Sequence, residues 1–396
     1  MTKFEWRAVG SLSFVMCLRL IGLFMVLPLF SIYAGQISGS TPALIGLSIG
    51  VYGLTQALFQ IPFGFLSDRY GRKNIIIAGL LIFAFGSFVC ATSHHIYWLI
   101  IGRALQGAGA IGSVILATIA DLTPVAQRTK SMAIAGISIG FSFSIAMFLG
   151  PLLAKWLSLS SLFLAASLCG MIAICITKWI VPTPSQSLNI NAKPNLNTFL
   201  TVLFQKDLAQ LNGGIFILHA LFTASFIALP IHLMKLIDPH QLWKIYLSAI
   251  LLALIVSGIC IPLAEKKRQI KIYFLISIGL LIFAELNLYL ATNYLTGTFI
   301  GVSAFLTGFT LLEAILPSLV SRLAPNAFRG TALGLYSCAQ FSGIFAGGVL
   351  GGWIYSQFGL SAIYLFCAML ALLWLSFAYH LNSKPVIDRE QYASSS

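Results

Sequence analysis

The sequence predicts an all-α membrane protein with twelve transmembrane helices in two related six-helix bundles. Its composition is the first reason: 59% of the 396 residues are hydrophobic and 8% are charged, whereas soluble domains carry about a quarter charged residues. The second reason is a set of twelve apolar runs long enough to cross a bilayer. The third is a polar stretch at residues 182–207, which divides these runs into six and six.

Each apolar run reaches about 18 residues, the length at which an apolar segment predicts a membrane-spanning helix. Strands of a membrane barrel are shorter and alternate apolar with polar residues, so they do not fit this pattern. The predicted spans, numbered 1 to 12 in chain order, are residues 8–34, 43–66, 74–92, 96–120, 131–155, 159–181, 208–234, 242–263, 270–291, 296–322, 330–355 and 359–380.

The basic residues lie mostly on one side of the predicted membrane. The net charge is +13, a value that is also typical of nucleic-acid-binding proteins. However, loops on the side of the N-terminus carry eighteen Lys and Arg residues, and the opposite loops carry only Lys155, Lys235 and Lys244. Because basic loops stay in the cytoplasm, this asymmetry predicts that both termini are cytoplasmic. We therefore expect membrane lipid, and no nucleic acid, as a partner.

The two halves of the chain show signs of an internal duplication. Residues 123–136 align with 324–337, and residues 61–73 align more loosely with 261–268. Two matches in the same order favour duplication over chance. The predicted domains are an N-terminal six-helix bundle at 1–181, a cytoplasmic linker at 182–207, a C-terminal six-helix bundle at 208–381 and a cytoplasmic tail at 382–396.

The densest charged segment is GFLSDRYGRK at residues 64–73, between spans 2 and 3. It resembles the signature loop of the major facilitator superfamily, a family of membrane transporters. The matching residues are Gly64, Leu66, Asp68, Arg69, Gly71, Arg72 and Lys73. Gly71 permits a short turn without a Cβ clash, and the basic residues hold the loop in the cytoplasm.

The resemblance implies that this loop is a conformational switch. In the family, the carboxylate at the position of Asp68 faces the start of span 11, where a helix N-terminus favours a nearby anion. Asp68 would then stabilise the outward-facing state, with Arg72 and Asp121 as linked partners and Arg128 in the same set. The alternative is a loop that serves topology alone, although an acid would not help topology.

Two further segments carry the resemblance. In span 4, LIIGRALQGAGAI resembles the family pattern R-x-x-Q-G-x-G-A at Arg103, an intramembrane charge that indicates a functional site unless it only pairs with backbone carbonyls. In span 5, AMFLGPLLA resembles the antiporter segment at Gly150 and Pro151, although alanines replace two of its glycines. This segment is associated with proton-coupled export in the family, and the alternative is a proline kink that serves packing.

By span count, central linker and motif order, the whole chain resembles the 12-helix drug/proton antiporters of this superfamily. The resemblance implies a monomeric secondary active transporter of the bacterial inner membrane. It would export small, often lipophilic molecules in exchange for protons, with the substrate bound between the halves. The alternative in this class is an importer of sugars, amino acids or other metabolites. No ATP-binding segment or cofactor motif is visible, so the expected driving force is an ion gradient.

A sensor or an integral-membrane enzyme is the alternative from a different class. An enzyme would carry a metal-binding or a nucleophile–base motif, and the sequence contains no HExxH, GxSxG or P-loop pattern. The seven cysteines lie within or at the edges of the spans, without metal-ligand spacing. We therefore expect neither enzymatic activity nor a bound metal or cofactor.

Ionisable residues inside the predicted spans are the candidates for proton coupling. Burial of an ionised side chain is unfavourable unless the charge is paired or hydrated, so a buried acid can bind a proton instead. Glu313 is the preferred candidate, because span 10 lines the cavity in the family. His219, Glu285 and Arg103 are the others, each with a structural role as the alternative. Spans 1 and 2 contain no acid, so coupling would have to use these groups.

Polar residues in the spans predict a substrate cavity. The candidates are Arg19, Tyr52, Gln56, Gln60, Asn212, Tyr336 and Gln340. Arg19 either holds an anionic substrate or pairs with an acid elsewhere, and the sequence leaves both readings open. Aromatic residues such as Tyr52, Phe226 and Phe309 would form an apolar wall of the kind that small-molecule sites favour.

Overall fold

The computed structural model describes residues 1–183, 204–324 and 329–380. Within these ranges every regular element is helical, and the β-type pairing is limited to an isolated bridge between Ser38 and His95. The helices are α1 (Lys3–Phe24), α2 (Leu27–Ala34), α3 (Pro42–Tyr70), α4 (Arg72–Ala91), α5 (Ile96–Ala108), α6 (Gly112–Asp121), α7 (Val125–Leu153), α8 (Leu159–Trp179), α9 (Lys206–Met234), α10 (Leu242–Lys266), α11 (Ile270–Leu290), α12 (Leu295–Leu323), α13 (Arg329–Phe358) and α14 (Leu360–Tyr379), and a short 3-10 helix, η1 (Pro239–Gln241), precedes α10.

In the part of the chain that the structure describes, these helices form twelve segments long and apolar enough to cross a membrane. The predicted twelve-span, all-α fold class is therefore confirmed, whereas the side on which the termini lie stays a prediction. The helices run further than the apolar sequence: span 2 is predicted at 43–66, and its helix covers Pro42–Tyr70. A helix can continue beyond the hydrocarbon core because its backbone hydrogen bonds are internal.

Spans 1 and 4 each consist of two helices, a feature that the apolar pattern does not reveal. Span 1 is interrupted at Met25 and Val26, between α1 and α2. Pro28 lies in the first turn of α2 and lacks the N–H that would continue the hydrogen bonding of α1. Span 4 is interrupted at 109–111, between α5 and α6. Non-helical backbone at membrane depth is tolerated where protein surrounds it.

The described helices fall into two compact units. The first contains α1–α8 together with Leu229–Leu247; α1 packs on α7 and α8, and α4 packs on α5 and α8. Its core includes Leu12, Ile76 and Ile115 from three of these helices. The second unit contains the rest of α9 and α10 together with α11–α14, and α11 packs on both α12 and α14.

The predicted domain boundaries stay predictions. Residues 184–203 of the predicted linker and the predicted tail at 382–396 lie outside the described residues. The end of the predicted linker overlaps the start of α9, which begins at Lys206.

Close helix contacts depend on glycine, and Gly150 is the clearest case. A Cβ atom added at Gly150 would collide with the backbone carbonyl of Met25, in the break of span 1. In the second unit, a Cβ atom at Gly347 of α13 would collide in the same way with the backbone carbonyl of Ala220. The segment that resembles the antiporter motif therefore has a packing role, whatever else it does.

Gly150→Ala is expected to lower the free energy of unfolding by roughly 1–3 kcal/mol, the usual effect of overpacking. The added methyl group would push α7 away from the backbone at Met25. Thermal unfolding of the purified protein in detergent measures the effect. Gly140→Ala on the same helix is the matched control, because a Cβ atom there meets nothing within 4 Å. Equal unfolding midpoints for the two variants would contradict the packing role.

Candidate functional site

The switch loop is a one-residue turn between two long helices. α3 ends at Tyr70 and α4 begins at Arg72, so Gly71 alone lies outside a helix. Its φ of 93° lies in the left-handed region, where a residue with a Cβ atom is strained. The predicted glycine therefore occupies the position at which the sharp change of direction requires it.

Arg72 joins the two acids of the switch loop set. Its Nη1 lies 2.6 Å from Asp68 Oδ1, and its Nε lies 2.9 Å from Asp121 Oδ2 at the end of α6. Nη1 also donates a hydrogen bond of 2.6 Å to Ser67 Oγ. Both carboxylates are partly exposed, so solvent weakens each ion pair. The structure brings Asp68, Arg72 and Asp121 together, and their part in a transport cycle stays a prediction.

The other members of the set make separate contacts. Lys73 Nζ donates to the carbonyl of Val181 at 3.0 Å, just beyond the end of α8. Arg128 Nε donates to a carbonyl near the end of α6 at 3.2 Å rather than to Asp68. The guanidinium of Arg69 lies over the ring of the next residue, and Gly64 has open space where a Cβ atom would lie.

Arg103 is buried in the first unit among neutral partners. Its Nε donates to the carbonyl of Ser48 at 3.3 Å, and its Nη1 donates to Gln106 Oε1 at 2.8 Å. Gln106 donates in turn to Ser87 Oγ at 2.7 Å. The ring centre of Tyr52 lies 4.9 Å from the guanidinium carbon, a cation–π distance. Tyr52, predicted to line a substrate cavity, therefore belongs to the surroundings of Arg103.

Arg19 organises a second buried polar group in the same unit. Its Nη2 donates to Gln56 Oε1 at 2.8 Å and to the carbonyl of Gly109 at 3.0 Å. Gln56 Nε2 donates to Gln60 Oε1 at 3.1 Å. The guanidinium also lies 5.6 Å from the ring centre of Phe83. Three of the predicted cavity residues thus meet, at the break between α5 and α6.

The second unit brings together three predicted residues from α9, α12 and α13. Nε2 of His219 lies 3.5 Å from Glu313 Oε1 and 2.9 Å from Gln340 Nε2. Nδ1 of His219 lies 3.3 Å from the carbonyl of Ile215. In the neutral ring that fits these contacts, Nδ1–H donates to the carbonyl and Nε2 accepts from the amide. Glu313 Oε1 is buried without a hydrogen bond, while one-third of the side chain is exposed.

Four phenylalanine rings continue from this cluster along α9 and α12. The ring of Phe309, one turn before the acid, lies 5.6 Å from the ring of His219 and 4.5 Å from that of Phe222. Phe226 and Phe305 extend the same group of rings. The titratable groups therefore lie at the edge of an apolar wall. It includes two of the three aromatic residues that the sequence predicted for such a wall, Phe226 and Phe309, whereas Tyr52 lies beside Arg103.

Glu285 is fully buried and shares no partner with the cluster around His219. Its Oε1 accepts a hydrogen bond of 2.5 Å from Ser225 Oγ, which also lies 3.6 Å from Cys367 Sγ. Its Oε2 has no hydrogen-bond partner in the described structure. A buried carboxyl group with a single donor fits the neutral acid better than the carboxylate. Ser225 is not among the residues that the sequence predicts for a site, because a serine in an apolar run carries no signal of which residue it contacts.

The last two predicted cavity residues differ in their surroundings. Asn212, near the start of α9, has a buried Oδ1 without a hydrogen-bond partner. Tyr336 is buried one turn before Gln340 on α13 and lies close enough to Glu313 for the two groups to interact electrostatically. Among the described residues, no three His, Cys, Asp or Glu side chains lie together in a way that could hold a metal ion.

A family model and several known proteins are similar in sequence to this chain. The family model of the Major Facilitator Superfamily matches residues 12–347 and 211–393. The inner membrane transport protein YajR of Escherichia coli (strain K12) is 43% identical over 393 residues, which cover 98% of this chain and 86% of YajR. The quinolone resistance protein NorA of Staphylococcus aureus (strain MSSA476) is 25% identical over 230 residues, which cover 55% of this chain and 59% of NorA.

The fold is also similar to that of a solved transporter structure. A bacterial homologue of the human lysosomal transporter Spinster, in an inward-facing and occupied conformation, superposes with a TM-score of 0.73 at 14% identity. The match covers 96% of this chain and 97% of that one, and at this identity it shows the fold alone. Sequence family, relatives and fold agree, and the chain belongs to the Major Facilitator Superfamily of transporters.

Proposed function

We propose that this protein is a secondary active transporter that works by alternating access and exports small, often lipophilic molecules in exchange for protons. The relatives are named as transporters, which fits a non-enzymatic role. The observation that carries the finer assignment is the cluster of His219, Glu313 and Gln340 at the edge of the phenylalanine wall.

The cluster is suited to hold and exchange a proton. Protonated Glu313 can donate to Nε2 of the neutral His219, 3.5 Å away, once Gln340 leaves that acceptor. Transfer of the proton would create an imidazolium and a carboxylate that stabilise each other. The exposed third of the Glu313 side chain provides access for the proton, which the fully buried Glu285 lacks. Each protonation state favours a different arrangement, so protonation can bias a conformational equilibrium.

The surroundings of the cluster support a lipophilic substrate. Ligand sites are lined mainly by apolar and aromatic side chains with a few convergent polar groups. Phe222, Phe226, Phe305 and Phe309 supply the aromatic part beside a titratable pair. The likeness to a quinolone resistance protein supports export rather than import.

The switch loop supports the alternating-access part of the proposal. Arg72 keeps Asp121 and Ser67 as partners if Asp68 moves away. Asp68 can therefore exchange its partner between two conformations without leaving a buried charge unpaired.

We further propose that the transporter is a monomer in the bacterial inner membrane. Both termini would lie in the cytoplasm, because eighteen basic residues lie in the loops on that side and three in the opposite loops. Basic and aromatic residues at the span ends, such as Arg69 beside Tyr70 and Lys178 beside Trp179, would contact membrane lipid.

Glu313→Gln is expected to abolish substrate-dependent proton movement, because an amide cannot bind and release a proton at this position. The measurement is internal pH in proteoliposomes that hold a proton gradient, on addition of a panel of lipophilic cations and neutral drugs. The wild-type protein should move protons with at least one compound, and the variant should match empty liposomes.

Glu265→Gln is the matched control for this experiment. Glu265 lies in the same unit, is exposed and pairs with Arg322 at 2.8 Å, so its loss should leave proton movement intact. Loss of proton movement in Glu285→Gln but not in Glu313→Gln would identify Glu285, rather than Glu313, as the proton-binding acid. No movement with any compound, together with uptake of labelled sugars or amino acids, would favour an importer.

Asp68→Asn is expected to slow transport while the protein inserts in normal amounts. Arg72 retains Asp121 and Ser67, so folding should not suffer, whereas the charge that distinguishes two conformations is gone. Flux per inserted protein is the measurement. Asp238→Asn is the control, because Asp238 caps η1 through a hydrogen bond to the His240 N–H and Asn caps a helix equally well. Equal flux in the two variants would rule out the switch role.

A further inference from the structure

Arg19 is a buried cation whose charge no described residue balances. It lies near the middle of span 1 and is 2% exposed. Its hydrogen bonds go to two neutral oxygens, those of the Gln56 amide and the Gly109 carbonyl, and its Nε has no partner. No carboxylate of a described residue lies within 4.0 Å of it. A charge at this depth needs a counter-charge or water.

The hydrogen bonds around Arg19 have a fixed direction. Arginine can only donate, so Gln56 must turn its amide oxygen towards Arg19. The NH₂ group of Gln56 then donates to the oxygen of Gln60. As a result, the NH₂ group of Gln60 is the donor at the end of this series of hydrogen bonds. The whole group therefore ends in N–H donors.

These donors lie at the break of span 4. Arg19 binds the carbonyl of Gly109, and α6 begins three residues later at Gly112 without a side-chain cap. The N-terminus of a helix carries unpaired N–H groups and a partial positive charge. A Cβ atom added at Gly112 would have Gln60 Nε2, 4.0 Å away, as its nearest neighbour, so the space at this helix start is open.

We propose that Arg19, Gln60 and the N-terminus of α6 form an anion site that takes the carboxylate group of a small organic substrate. The substrate assignment rests on the proposed transport function and names the chemical class of the molecule that is moved. One unbalanced charge matches one carboxylate. A planar carboxylate can also accept from the guanidinium and the amide at the same time.

The comparison with Arg103 separates this site from a merely structural arginine. Arg103 is also buried and also lies against aromatic rings, as Arg19 does against Phe83, but none of the buried nitrogens of Arg103 lacks a partner. It also donates to Gln106 Oε1 at 2.8 Å, the distance between Arg19 and Gln56. Both arginines also donate to a backbone carbonyl, so they differ in the buried donor that remains unpaired, the Nε of Arg19.

The test is the thermal unfolding midpoint of the full-length protein in detergent, measured against added probes. Benzoate, benzylamine and benzyl alcohol share a ring and differ in charge. The buffer is HEPES neutralised with N-methylglucamine, whose ions are bulky, and ionic strength is held constant. Benzoate should raise the midpoint saturably, and the cation and the alcohol should not. Chloride tests an inorganic occupant, and a chloride response equal to that of benzoate would overturn the carboxylate assignment.

Two variants test whether the effect of benzoate on the unfolding midpoint arises at Arg19. Arg19→Gln removes the charge and should abolish the benzoate response. Gln56→Glu places a carboxylate 2.8 Å from Arg19, so it should raise the midpoint without benzoate and also abolish the response. This second variant keeps the test valid if Arg19→Gln fails to fold. Gln106→Glu is the matched control, because it gives Arg103 a carboxylate in the same geometry and should leave the benzoate response unchanged.

The outcomes separate this inference from the proposed function. No benzoate response in the wild-type protein, or a response that survives Gln56→Glu, would overturn the anion site. If proton movement with cationic or neutral compounds is then still observed in proteoliposomes, proton-coupled transport stands without it. A benzoate response that depends on Arg19, without any proton movement, would support the anion site and contradict proton coupling.

Discussion

The hydrocarbon core of a membrane contains no water, and this constraint determines both where the backbone is helical and where polar side chains are found. Backbone N–H and C=O groups must bond within the chain, so the described spans are helices. Where the helix is interrupted inside a span, protein meets the exposed backbone. The carbonyl of Gly109 accepts from Arg19, and Gly150 packs directly on the break at Met25. One break is therefore covered by a polar contact and the other by close packing.

The same constraint explains the three glutamines that accompany titratable or charged groups inside the spans. Gln56 accepts from Arg19, Gln106 accepts from Arg103, and Gln340 contacts His219. An amide is both a donor and an acceptor and carries no charge. It can therefore accept a hydrogen bond from one group and donate a hydrogen bond to the next. Each glutamine thus sets the direction of its hydrogen-bond chain. In the first chain this direction leaves donors at the end, which is the basis of the inferred anion site.

Inside the spans, the two units differ in the ionisable residues that they hold. The first buries Arg19 and Arg103, whereas the second holds the acids Glu285 and Glu313. Cations in one unit and protonatable acids in the other allow two different tasks, since a guanidinium stays charged while a carboxyl group can gain and lose a proton. The proposed division is that the first unit recognises the charge of the substrate and the second responds to protons.

The sequence by itself determined the fold class, the family and the composition of the switch loop. Apolar length, basic loops and the GFLSDRYGRK segment are properties of continuous stretches of chain. The linkage of Asp68 to Arg72 is equally local, because one turn residue separates their helices. Such features do not depend on how distant segments pack.

Only the tertiary structure decided which polar residues meet. In the structure Tyr52 contacts Arg103, and Gln56 and Gln60 form hydrogen bonds in series with Arg19. Ser225 donates a hydrogen bond to Glu285. The physical reason is that a membrane helix is apolar on the face that meets lipid as well as on the face that meets protein. The sequence pattern therefore reveals that a segment spans the membrane, but not which of its sides packs against which neighbour.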